Sequence, residues 1–221
     1  MAYTYGNPHL AVTTDIVIFT IRDEGLKLLL IKRGLEPFKG GWALPGGFVN
    51  PDEALDVCAR RELQEETGIA DVFLEQLYTF GHPNRDPRER VITVAYYALI
   101  PSDRLALRAA SDAEGVGWFD AEALPALAFD HNEVVSVALQ RLRAKLDYST
   151  IAFQFLPTTF TLSDLRRVYE IILGEAIDKR NFRKWVLALD QIEETGDLRQ
   201  GAHRPAKLYR MRDPGSVEII K

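Results

Sequence analysis

Residues 46–69 read GGFVNPDEALDVCARRELQEETGI, and this stretch decides the fold. From Gly47 the order is a glycine, five residues, Glu53, seven residues, then Arg61-Glu62-Leu63-Gln64-Glu65-Glu66-Thr67-Gly68-Ile69. Seven such fixed positions coincide by chance on the order of once in a billion starts. Asp52 to Thr67 lacks Gly and Pro and is rich in helix formers, so the stretch predicts a helix. Asn50-Pro51-Asp52-Glu53 suits its start, with a capping residue, a first-turn proline and acids at the positive end. Gly68 suits its stop. At helical period Glu62, Glu65 and Glu66 share one face, on a stripe that begins apolar at Leu55, Cys58 and Ala59. The spacing therefore aims carboxylates along a surface or cleft.

Clustered carboxylates raise one another's pKa unless a cation joins them, and hard oxygen ligands suit Mg²⁺ or Mn²⁺. Arg61, four before Glu65, is placed to hold it in a ligating rotamer. The pattern resembles the Nudix box, the signature of hydrolases that cleave nucleoside diphosphates linked to another group. The resemblance implies a metal set of Glu62, Glu65 and Glu66, and catalytic roles for Glu65, Glu66 and Arg61. Gly47 then belongs to the substrate site.

Around this segment the chain has 221 residues, room for one large or two small domains. Hydrophobic residues make up 47%, enough for buried cores, and no stretch reaches the roughly 18–20 apolar residues of a membrane span. The first residues, MAYTYGNPHLAVTTD, lack a charged-then-apolar leader pattern. Cys58 is the single cysteine, which excludes an intramolecular disulfide, favours a cytoplasmic setting and reads as a small core residue. The net charge of −5 hides an asymmetry. Residues 151–221 hold 12 Lys+Arg against 10 Asp+Glu, whereas the remainder holds 15 against 22. Halves of opposite sign suggest different partners.

Residues 11–21 (AVTTDIVIFTI) and 26–31 (LKLLLI) predict strands around a turn at Asp23-Glu24-Gly25. Residues 72–80 and 91–100 predict an antiparallel pair around the polar loop 81–89. Residues 116–119 predict a short strand and 132–146 a helix. Pattern alone gives α/β or α+β; the resemblance implies an α/β/α Nudix sandwich with a mixed sheet. GHPNRDPRERVITVAYYALIP, residues 81–101, is similar to the segment of Nudix proteins that handle ADP-ribose. Arg85, Arg88 and Arg90 are its candidate phosphate ligands, since guanidinium matches phosphate bidentately. Phe38, Trp42 and Tyr78 either stack on a base or pack in the core, with Phe38 the base-stacking candidate. Glu114, in the loop 111–115, is a candidate further metal ligand or base.

The second half reads helix, turn, helix, hairpin. Thr161-Leu162-Ser163-Asp164 opens a periodic stretch that Gly174 ends, and Asp178 opens a second helix to about Ala188. Residues 192–196, a loop to Pro205 and residues 206–211 then predict a hairpin, the layout of a winged helix. Lys179, Arg180, Asn181, Arg183 and Lys184 crowd the start of the second helix, and the hairpin loop adds His203 and Arg204; all are candidate DNA contacts. His203 has no Cys or His partner at metal-ligand spacing. FTLSDLRRVYEIILG, DKRNFRKWVLALD and TGDLRQGAHRPAKLYR, beside the box, resemble the Nudix-related transcriptional regulators of NAD metabolism. That resemblance implies an α+β chain: a Nudix domain over residues 1–147 and a winged-helix domain over 148–221. It implies ADP-ribose or a related nucleotide as ligand, double-stranded operator DNA as partner and a homodimer. Many such regulators have lost acids of the box, whereas this chain keeps Glu53, Arg61, Glu62, Glu65 and Glu66. Two readings stand: a Mg²⁺- or Mn²⁺-dependent ADP-ribose pyrophosphatase that also regulates, or a non-catalytic ADP-ribose-sensing repressor.

Overall fold

The computed structural model of the chain describes residues 9–101, 115–200, 205–214 and 217–220. The class is α+β. Among the described residues seven strands form one sheet: β1 (Ala11–Arg22), β2 (Gly25–Lys32), β3 (Trp42–Ala43), β4 (Gly46–Phe48), β5 (Phe73–Phe80), β6 (Val91–Ile100) and β7 (Val116–Asp120). Their order is β3-β2-β1-β6-β5, with β4 on β1 and β7 on β2. The central position of β1 and β6 follows from their sequences. Residues 13–20 and 93–100 are buried without alternation, the mark of strands covered on both faces. Asp15 sits inside that buried run, so a charged side chain in an apolar strand must find a partner.

The box helix α1 spans Leu55–Thr67, three residues later than its sequence suggests. Ala54 is the N-cap and offers no side-chain bond. The Asn50–Glu53 segment forms a turn instead: the Glu53 backbone N–H donates to the Asn50 carbonyl at 3.1 Å, and the Asn50 N–H donates to Glu53 Oε2 at 3.2 Å. Glu53 is held by this turn and by Arg61, which keeps it outside the helix. The stop is as expected: Gly68 has φ 69° and its N–H donates to the Gln64 carbonyl at 2.8 Å. Cys58, Ala59, Glu62 and Leu63 are the buried face. Helix α2 spans His131–Leu146.

The described chain divides into two compact units. The first holds most of the sheet, α1 and the start of α2; the second holds the β1–β2 turn, Thr20–Lys27, and the chain from Leu139 onward. In the second, a 3-10 turn (Ile151–Phe155) precedes α3 (Leu162–Leu173) and α4 (Lys179–Ala188), then β8 (Ile192–Arg199) and β9 (Ala206–Met211). Thr161 and Asp164 form a reciprocal capping box at the start of α3. Gly174, at φ 75°, ends it. Asp178 caps α4 by accepting from the Asn181 N–H. Phe160 pairs with Tyr209 through two backbone bonds of 3.0 and 2.8 Å, an isolated antiparallel bridge beside the hairpin. Phe153, Phe160, Leu165, Ile172, Phe182, Val186 and Tyr209 make the core. The C-terminal residues return to the joint after α2: Thr150 N–H donates to the Glu218 carbonyl at 2.9 Å and Ile220 N–H to the Tyr148 carbonyl at 2.8 Å.

Candidate functional site

Arg61 organises the box. Its guanidinium bonds Glu53 at 2.7 and 2.9 Å, Glu62 at 2.6 Å and Glu65 at 3.1 Å. Glu53 is accordingly held at about 2, mainly by Arg61. Arg61 therefore anchors three acids rather than Glu65 alone. Glu62 is buried and lies over Gly47, where an added Cβ would come 2.2 Å from its Oε1. Glu65 is solvent-facing. Glu66 accepts from the Gly46 N–H at 2.7 Å. Burial pushes the Glu66 carboxyl up to about 7 against that bond, and the charges of Glu62 and Asp15 push the same way. Gly46 itself has φ 155°, and a Cβ there would meet the Thr14 carbonyl oxygen at 2.1 Å.

Among the described residues no three His, Cys, Asp or Glu gather as a ready metal cage, because Glu62 and Glu65 turn their oxygens to Arg61. The donor chemistry still fits a divalent cation. The acids are hard oxygen ligands on one helix, and Glu66 lines the cavity with the charges of Glu62 and Asp15 near it, a donor set that a divalent cation would suit. Glu114 lies outside the described residues.

Beside Glu66 opens a cavity of about 280 Å³, lined by Asp15, Arg33, Gly47, Arg85, Arg88 and Phe129 among others. Arg85 is buried: it bonds Asp130 at 2.8 and 2.9 Å and Asp15 at 3.1 Å. It ties the loop after β5 to β1 and to the start of α2. His131 completes this knot. Its Nδ1 accepts from the Leu44 N–H at 2.9 Å, which leaves the proton on Nε2, 3.7 Å from Asp15 Oδ1. Burial lowers the His131 pKa, so it is neutral at pH 7. Arg88 is half-exposed and forks onto Asp86 at 2.7 and 3.0 Å. Arg33 and Arg88 lie over the ring of Phe129, 4.6 and 5.8 Å from its centroid. Burial, then the charge of Arg88, lowers the Arg33 pKa, as expected where two cations stand close. Arg90 has a buried Nη1 with no partner among the described residues and does not line the cavity. Phe38 is exposed and packs edge-on against Phe129 at 4.9 Å, outside the cavity wall. Trp42 packs on Phe119 and Tyr78 on Phe80.

Sequence reasoning missed Asp15, Arg33, Asp86, Phe129, Asp130 and His131. One signal was readable: an aspartate in the apolar run TTDIVIF demands a buried cation.

In the second unit, α4 buries Phe182 and Val186 and exposes Lys179, Arg180, Asn181, Arg183 and Lys184. The hairpin is braced by Lys207 on Glu194 at 2.8 Å and Arg210 on Glu193 at 2.6 Å. Arg199 reaches Asp164 at the start of α3 at 2.7 Å. His203 and Arg204 lie outside the described residues.

Two family models match: the NUDIX domain over residues 11–139, and the NrtR DNA-binding winged helix domain over residues 152–211. The chain is 40% identical over 207 residues to the ADPR responsive transcriptional repressor NtrR of Acinetobacter baylyi, covering 92% of this chain and 82% of that one. It is 39% identical to the ADP-ribose pyrophosphatase of Methanocaldococcus jannaschii over 127 residues, 58% of this chain and 72% of that protein. The Shewanella oneidensis NrtR structure complexed with a 27mer DNA matches with TM-score 0.83 at 38% identity, over 91% and 93% of the two chains. The NUDIX domain of the same protein, complexed with ADP ribose, matches with TM-score 0.52 at 36% identity, over 62% of this chain and 90% of that one.

Proposed function

The chain belongs to the Nudix family, in the branch that carries an NrtR winged helix, and from that premise we propose that it is an ADP-ribose-responsive repressor of transcription. One observation carries the reading: an anion-friendly Nudix cavity and a winged helix with a solvated basic helix occur on a single chain. The cavity is the ligand seat. Arg33 and Arg88 lie over the same ring of Phe129 on the cavity wall, and a pyrophosphate between them would meet two guanidinium groups, with Arg88 still held by Asp86. Arg85 acts beneath them as a positioning residue. Phe48, exposed on the cavity wall, and Phe38 beside it offer ring faces to an adenine.

The winged helix, over residues 148–221 in our division, is the DNA module. Lys179, Arg180, Asn181, Arg183 and Lys184 face the duplex, and His203 and Arg204 are further candidate contacts by their place in the sequence. A single winged helix reads few base pairs, so the working form is a homodimer on a near-palindromic operator in the cytoplasm.

A second reading, that ADP-ribose is also hydrolysed, is favoured by the intact set Glu53, Arg61, Glu62, Glu65 and Glu66. Glu62, Glu65 and Glu66, with Glu114, would hold Mg²⁺ or Mn²⁺. Such ions offset pyrophosphate charge and lower the pKa of an attacking water. Arg61 keeps the acids oriented, and Glu66, which accepts from the Gly46 N–H, is the glutamate of the box that lines the ligand seat. Calorimetry with ADP-ribose, with and without Mg²⁺, tests both readings together with chromatography of the products. Binding alone supports the sensor, binding with release of AMP and a phosphosugar adds the hydrolase, and no binding ends both.

A further inference from the structure

Resting on the DNA-binding reading above, we infer that Leu187 is a base-reading residue of α4 that seats against the C5 methyl of thymine in the major groove. Helix α4 has two faces. Phe182 and Val186 are buried, and Trp185 packs edge-on against Tyr169 at 5.5 Å. On the opposite side Arg180, Lys184 and Leu187 form one row, spaced four and three, with Arg183 alongside. All four are exposed, and Leu187 is 41% exposed in spite of its apolar side chain. A lone exposed leucine is ordinary on most surfaces. This one shares its row with the cations that a duplex must meet first, so an approach that satisfies Lys184 and Arg180 carries Leu187 to the same groove.

The chemistry then selects the base. Leucine neither donates nor accepts a hydrogen bond, so it cannot read the polar edges of adenine, guanine or cytosine. Thymine alone shows a methyl group in the major groove. Contact with Leu187 would bury that methyl and favour T·A over C·G at one position in each half-site. Neighbouring cations add affinity through phosphates without adding sequence information.

The test uses the full-length chain and a duplex that it recovers from a randomised pool. Each thymine is replaced in turn by deoxyuridine, which removes the methyl and nothing else. We expect wild type to lose about three- to fivefold in affinity at one thymine per half-site, the factor that burial of one methyl gives. Leu187→Ala should bind the thymine duplex more weakly by a similar factor and be indifferent to the same replacement. Leu187→Met, which keeps an apolar tip, should retain the sensitivity. A flat deoxyuridine scan for wild type, or an equal penalty in Leu187→Ala, overturns the inference and leaves the DNA-binding reading standing. Recovery of no duplex at all removes both.

Discussion

Arg85 and Arg88 stand three positions apart in one loop, and burial divides their tasks. The Arg85 side chain is 4% exposed and answers Asp15 and Asp130; that of Arg88 is 42% exposed and answers Asp86 at the cavity edge. Removing one partner of a buried ion network strands the others, so Arg85→Ala should cost about 3–5 kcal/mol in denaturant unfolding. Arg88→Ala leaves the buried Asp86 carboxylate without its fork and should cost about 1–3 kcal/mol of stability, less than Arg85→Ala, together with about ten- to a hundredfold in ADP-ribose affinity, the range for a charge-assisted contact. Equal stability losses in the two variants would refute the division. His131 gives a pH signature. Its folded pKa lies below the ordinary 6.5, so the unfolded chain binds the proton more readily and stability falls as pH drops through 6.5. Glu66 acts the other way, because its raised carboxyl binds a proton in the folded state and adds stability as pH falls through 7. The difference between wild type and His131→Gln in metal-free buffer isolates the histidine. That difference should shrink from pH 7.5 to 5.5, and a constant difference would contradict the assignment.

At the scale of elements, most of the chain was legible because its signals are local. The glycine stop of α1, the capping box of α3, the Asp178 start of α4 and the hairpin of β8 and β9 all follow from residues within one turn of where they act. Thr161→Ala should therefore cost about 1 kcal/mol, since it removes the acceptor for the Asp164 N–H; a change within error in urea midpoint would show that tertiary contacts hold α3 unaided. The start of α1 was not legible from local rules. Glu53 looked like a first-turn acid, but Arg61, eight residues on, holds it in the preceding turn. The same limit hid the cavity. Arg33 lies about a hundred residues before Phe129 and His131, and only the tertiary fold brings them to one wall. The return of Glu218 and Ile220 to Thr150 and Tyr148 is likewise a long-range pairing with no sequence mark.

At the scale of the whole molecule, the halves of opposite charge fit two different partners, a nucleotide and the DNA polyanion. If the basic row of α4 meets phosphates, Arg183→Ala with Lys184→Ala should weaken operator binding and lower the salt slope by about two units. An unchanged slope would place the DNA surface elsewhere. The central claim is that the ligand in the Nudix cavity governs the winged helix, and thermodynamic linkage then makes the effect reciprocal. The direct measurement is the operator affinity of the full-length Glu66→Gln chain, followed by fluorescence anisotropy while ADP-ribose is raised to saturation, with the reverse titration beside it. The account predicts a shift in DNA affinity matched by an equal factor in ADP-ribose affinity when DNA is present. Operator affinity that stays flat across saturating ADP-ribose would contradict it and leave two independent functions on one chain.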